Sequence, residues 1–135
     1  MKTKIILLLF LLTFCFSCNS NESSIVESNN SNLTGKWQWN KSTGGIAGLT
    51  LTPLSTNKNV VLDISLNKIK FIENGILIYD KGYNIETQQS IFGGQKQLII
   101  YETNFSIKHS FEVSNNKLIL NDECYDCYSS EYSKL

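Results

Sequence analysis

The sequence predicts an all-β domain: an antiparallel up-and-down barrel of about eight strands. Three observations lead there. Apolar and polar residues alternate with period two over several short windows, turn-forming residues separate those windows, and no window carries a convincing apolar run at helical spacing. The clearest window is residues 105–113. Phe105, Ile107, His109, Phe111 and Val113 fall on one face, and Ser106, Lys108, Ser110 and Glu112 fall on the other. A strand with one buried and one wet face has this pattern, because successive side chains point to opposite sides of the sheet.

The other elements follow in order. Residues 35–41 form a first strand, and 49–52 add a short piece before Pro53. In 59–66, Val60, Leu62, Ile64 and Leu66 share a face opposite Val61, Asp63 and Ser65. Residues 68–72 and 76–81 read as a hairpin around Glu73-Asn74-Gly75, whose Asn-Gly suits a primed turn. Strands at 83–87 and 97–102 come next. Asn115-Asn116, two residues tolerant of positive φ, turn the 105–113 strand into a partner at 117–121. The last strand is 128–134. Closing these strands into a barrel removes the two exposed edges that a small sheet would leave.

The N-terminus sets the compartment. Lys2 and Lys4 precede an apolar run, Ile5 to Phe16, broken only by Thr13. That length belongs to a signal peptide and is too short to span a bilayer as a helix. Ser17-Cys18 resembles the lipobox of bacterial lipoproteins, although Cys15 stands where a leucine is commoner. The resemblance implies that Cys18 takes a diacylglycerol and becomes the first residue after cleavage. The expected organisation is therefore a signal peptide at 1–17, a lipidated cysteine and flexible tether at 18–32, and one domain at 33–135. Residues 19–32 are almost all Asn, Ser and Glu, too polar to offset their ordering entropy. Asn19 is not the aspartate that holds a lipoprotein in the inner membrane. The resemblance thus points to the outer membrane, on its periplasmic or cell-surface side.

Charge excludes other partners. Twelve basic residues balance twelve acidic ones, and every basic residue is lysine. Losing Lys2 and Lys4 takes twelve less two against twelve, a mature charge of about −2. Such a chain has no field to draw nucleic acid, and no arginine fork to grip a phosphate.

Leu33-Thr34-Gly35-Lys36-Trp37 resembles the Gly-x-Trp opening of lipocalins and lipocalin-like domains. The order of lipobox, Ser/Asn tether and compact Gly-x-Trp domain is similar to small lipocalin-like lipoproteins of the Bacteroidota. The resemblance implies that Gly35 lets the chain turn into its first strand and that Trp37 plugs the closed end. It also implies that Lys134 supplies a cation on the tryptophan, where arginine is commoner, and that a long loop (residues 42–58) lies at the open end.

Little reactive chemistry is on offer. Cys124-Tyr125-Asp126-Cys127 reads as a structural disulfide in an exported protein, with a redox or soft-metal sensor as the alternative. No helix follows to lower a thiol pKa, and only His109 could add an imidazole for zinc. Asp122, Glu123 and Asp126 match no calcium loop and read as a solvated acidic turn. His109, the one histidine, has no nucleophile or carboxylate partner that the sequence nominates. No cofactor, metal or catalytic group is expected, and an enzyme is the least supported class. The leading expectation is a lipid-anchored binder of a small apolar or amphipathic ligand in the cell envelope. Trp39, Tyr83, Tyr101, His109 and Phe111 are the candidates for lining its lumen. The alternative is an envelope scaffold or interaction protein whose barrel is filled by its own side chains.

Overall fold

A computed structural model describes residues 32–102 and 107–135. The signal, Cys18 and the tether up to residue 31 lie outside the described residues, as does Phe105. The described elements are β1 (Gly35–Gly44), β2 (Leu49–Leu51), α1 (Pro53–Thr56), β3 (Val60–Ile64), β4 (Lys68–Glu73), β5 (Ile76–Gln89), β6 (Gln95–Tyr101), β7 (His109–Ser114), β8 (Lys117–Asp122) and β9 (Tyr128–Lys134). From β3 to β9 each strand pairs antiparallel with the next, and β1 pairs with both β3 and β9. Eight strands thus close into a barrel. β2 is the extra strand, paired to the last three residues of β1.

Local sequence explains the joints. Asn74-Gly75 and Asn115-Asn116 have positive φ at both central residues, which gives the primed turns that match the strand twist. Gly44, at φ +147°, ends β1 where its Cα lies against the Cys127 carbonyl, and any Cβ there would collide with it. Thr52 caps α1 by accepting the Ser55 N–H at 3.1 Å, and Pro53 starts the helix where its missing N–H costs nothing.

Three strand assignments differ from the sequence reading: Leu66, expected on the buried face of 59–66, lies past the end of β3 in the turn to β4 and is 74 % exposed. Residues 76–81 and 83–87 are one strand, β5, whose first half pairs with β4 and whose second half pairs with β6. Gly82 and its polar neighbours look like a turn in the sequence, yet the chain runs straight through and changes partner. In the window 105–113, His109 begins β7 and Ile107 lies outside the strand. His109 and Phe111 face inward, while Ser110 is on the outer face and yet only 1 % exposed. Ser110 is covered because the tip of the β5–β6 hairpin leans over the barrel wall: Ser90 Oγ donates to Glu123 at 2.9 Å, and Lys108 donates to Gln88 at 2.9 Å.

Candidate functional site

The two ends of the barrel are built differently. At the end where β1 begins, Leu33, Trp37, Ile64, Ile69 and Leu118 are each no more than 2 % exposed, and they fill the lumen. Trp37 Nε1 donates to the Leu33 carbonyl at 2.8 Å, tying the segment before β1 across the barrel floor. Lys134 places its Nζ 5.2 Å from the Trp37 ring centroid, with its stem against Gly35. Trp37, Gly35 and Lys134 therefore meet at one end.

The opposite end is hollow. An inner cavity of about 180 Å³ is walled by Leu62, Phe71 and Leu120 on its apolar side. Tyr79, Tyr101, His109, Asp122, Ser130 and Tyr132 make up the rest. An outer cavity of about 260 Å³ shares Phe71, Ser130 and Tyr132 with it, and adds Trp39, Leu51 and Val60 as apolar wall. Lys58 and Glu73 stand at its mouth, paired at 3.0 Å. α1 and β2, formed by the segment after β1, supply Thr56 and Leu51 to this mouth.

Hydrogen bonds organise the polar side. Trp39 Nε1 donates to Ser42 Oγ at 2.9 Å, and Ser42 Oγ lies 2.7 Å from Ser130 Oγ. Tyr101 and Tyr79 are hydrogen-bonded through their hydroxyls. His109 packs its ring edge-on to Tyr101, with centroids 5.6 Å apart. His109 Nδ1 stands 2.9 Å from Asp122 Oδ1, a distance suited to an ion pair when the ring is protonated, although the geometry falls short of a directed hydrogen bond. The other Asp122 oxygen accepts the Tyr128 N–H at 3.2 Å. His109 and Asp122 face each other across the β7–β8 ladder, so the register supplies the carboxylate partner that linear sequence does not nominate.

Burial raises the pKa of Tyr79, Tyr101 and Tyr132 above the usual tyrosine value, and the negative charge of Asp122 adds to the rise in all three. These hydroxyls stay protonated at any physiological pH.

The expected lining residues divide. Trp39 borders the outer cavity, while Tyr101 and His109 border the inner one. Tyr83 lines neither: it is buried toward the closed end, and its hydroxyl donates to the Ser65 carbonyl at 2.8 Å. Phe111 faces a separate cleft between β6 and β7, with Gln97, Val113 and Asn32. Among the described residues β6 and β7 share two register pairs, Leu98 with Ser110 and Ile99 with His109, and the cleft lies beyond them. Sequence reasoning missed Tyr79, Asp122, Ser130 and Tyr132. Tyr132 and Ser130 alternate along β9, a signal that period two carries once that strand's inward face is known.

Cys124 and Cys127 are joined in a disulfide, with Cα atoms 5.6 Å apart. Asp122 is the one other metal-ligand type grouped with them among the described residues. No family model, no curated protein and no solved structure matches the chain.

Proposed function

We propose that this chain is a lipid-anchored, lipocalin-like binding protein that holds a small apolar or amphipathic molecule in the cell envelope. The observation that carries the reading is the asymmetry of the barrel. One half is packed solid, while the other keeps two adjoining cavities, which share Phe71, Ser130 and Tyr132, with an aliphatic and aromatic wall and a hydrogen-bonded polar side. Pockets that hold small molecules are concave and mostly apolar, with a few placed polar groups. In this reading the ligand is bound and not turned over. Lipid on Cys18 and the tether would keep the domain at the outer membrane, on its periplasmic or surface side.

The test is a probe titration. N-phenyl-1-naphthylamine, a neutral apolar fluorophore, should brighten on binding and quench tryptophan. Trp39→Ala should weaken its binding about tenfold, which corresponds to about 1.4 kcal/mol. A blank titration on well-folded protein would leave the other reading, a scaffold barrel, which the solid packing around Trp37 favours. Stoichiometric copper or zinc in freshly isolated protein would support the sensor reading.

A further inference from the structure

The inner cavity has a chemical bias. Four of its lining residues are aromatic: Phe71, Tyr79, Tyr101 and Tyr132. Its one carboxylate among the described residues, Asp122, accepts the backbone N–H of Tyr128, stands beside the His109 ring, and has the sulfurs of the Cys124–Cys127 disulfide within 4.8 Å. No lysine lines this cavity. Lys58 sits at the outer mouth against Glu73. Lys81 lies outside the lining, its Nζ 5.7 Å from the Tyr79 ring centroid.

We propose that the inner cavity is a site for an organic cation, a protonated or quaternary amine, held between Asp122 and the surrounding aromatic rings. The ligand's apolar part would then lie in the outer cavity against Trp39, Leu51 and Val60. This rests on the reading of the barrel as a binder of small molecules and names the class that it takes. Three arguments support the assignment. A carboxylate in a partly desolvated lumen attracts a cation far more strongly than it would in water, and repels fatty-acid and phosphate groups by the same margin. Aromatic rings offer the negative face of their quadrupole to a cation without forming a bond that a methylated nitrogen could not make. Burial is the main reason that the pKa values of Tyr79, Tyr101 and Tyr132 are raised, and the charge of Asp122, the carboxylate in this lining, adds to the rise in each. The volume, about 180 Å³, has room for a head group the size of trimethylammonium.

The experiment compares ligands of matched tail. Decyltrimethylammonium, decanoate and decanol are titrated against the mature chain carrying Cys18→Ser, below their micellar concentrations, together with tetramethylammonium as the bare head. Tryptophan fluorescence and calorimetry are read in parallel. The cation should bind at least tenfold tighter than decanoate. Asp122→Asn, similar in shape and able to keep the Tyr128 bond, should bring that ratio close to one while decanol affinity stays within about twofold. Decanoate binding as tightly as the cation would overturn the inference, as would an unchanged ratio in the asparagine variant. Decanoate binding tighter still would point to Lys81 as the governing charge. Equal affinity for all three tails would sink the cation site and leave the amphipathic binder standing. Binding of tetramethylammonium with none of decanol would support the cation site and remove the tail. Should Asp122→Asn fail to fold, the ratio measured on the parent chain still decides.

Discussion

Trp37→Phe tests whether the barrel floor is held as the structure indicates. The substitution keeps an aromatic ring but deletes the N–H that the Leu33 carbonyl accepts at 2.8 Å. Both residues are fully buried, so water does not replace the donor. A buried carbonyl left without a partner costs about 1–3 kcal/mol. The space vacated by the smaller ring adds about 1 kcal/mol. The expected loss is thus about 2–4 kcal/mol, a large share of the ~5–15 kcal/mol that a domain possesses. Urea unfolding followed by far-ultraviolet circular dichroism should show the midpoint fall by about 2 M for an m-value of about 1–2 kcal/mol/M, with m itself unchanged. Two companions make the result specific. Trp39→Phe loses a bond to Ser42 that lies beside a cavity, where water can substitute, and should cost less than half as much. Lys134→Met keeps the stem over Gly35 and removes only the charge near the ring, so its cost should stay at about 0.5–1 kcal/mol, as for an exposed cation. The reasoning fails if Trp37→Phe lies within about 0.5 kcal/mol of the parent, the ordinary scatter of surface changes. It also fails if Lys134→Met costs as much as the tryptophan change.

Other expectations are narrower. Burial alone would raise the Glu123 pKa, but the nearby Ser110 hydroxyl, hydrogen bonds from the Ile91 N–H and Ser90, and the charge on Lys96 bring it below the ordinary carboxylate value. A depressed folded pKa means that the contribution is complete above the unfolded pKa and is lost as pH falls through the folded one. Glu123→Gln should therefore destabilise at neutral pH, by about 1 kcal/mol or less after screening. The gap to the parent should close in acid, as read from urea midpoints across pH 2–7, a range of about five units that brackets the ordinary carboxylate value. Reducing Cys124–Cys127 should lower stability by at most about 2 kcal/mol, because the loop closed is so short. Thiol labelling of freshly exported protein should find no reactive pair, and two labelled thiols would refute the structural role. Cys18→Ser should abolish palmitate labelling and move the domain to soluble fractions or leave an unprocessed precursor. A serine variant that still labels and pellets with membranes would remove the lipid from the reading.

The fold was legible wherever one face of a strand is dry and the other wet. Val60, Leu62 and Ile64 alternate because β3 has the lumen on one side and solvent on the other. The turns were legible because Asn-Gly and Asn-Asn tolerate the positive φ that a tight hairpin demands. What escaped depends on contacts between strands far apart in sequence. The continuity of β5 through Gly82 is set by its change of partner from β4 to β6, which no local window records. The burial of outward-facing Ser110 needs the hairpin tip to fold over it, and Glu123 supplies the acceptors that hold that tip. Tyr83 and Phe111 are large and buried, but burial does not say which end of a barrel a side chain reaches. Height along the axis depends on strand tilt and register, which emerge only when the sheet closes.

The same logic explains why the barrel is filled at one end and hollow at the other. Near the closed end, inward positions carry Trp37, Ile64, Ile69 and Leu118, residues large enough to meet across the lumen. Toward the open end, the corresponding positions on β5 to β9 become Tyr79, Tyr101, His109, Asp122 and Ser130. These side chains end in polar atoms that must find partners, and they find them along the wall: Tyr101 with Tyr79, Ser130 with Ser42, and Asp122 with the Tyr128 N–H. Side chains bonded to the wall cannot also cross the lumen, so the space between them stays open. Apolar residues in their place would gain from collapsing inward, and the cavity would close at little cost in backbone adjustment. The polar ring is therefore what keeps the lumen hollow, and a pocket maintained in this way has its hydrogen-bonding groups in place before any ligand arrives. Tyr101→Phe would remove one hydroxyl of that ring and leave the Tyr79 oxygen without its partner. The outcome that this argument requires is a smaller, less polar lumen, with probe affinity lowered and a stability loss of about 1 kcal/mol from the unpartnered oxygen.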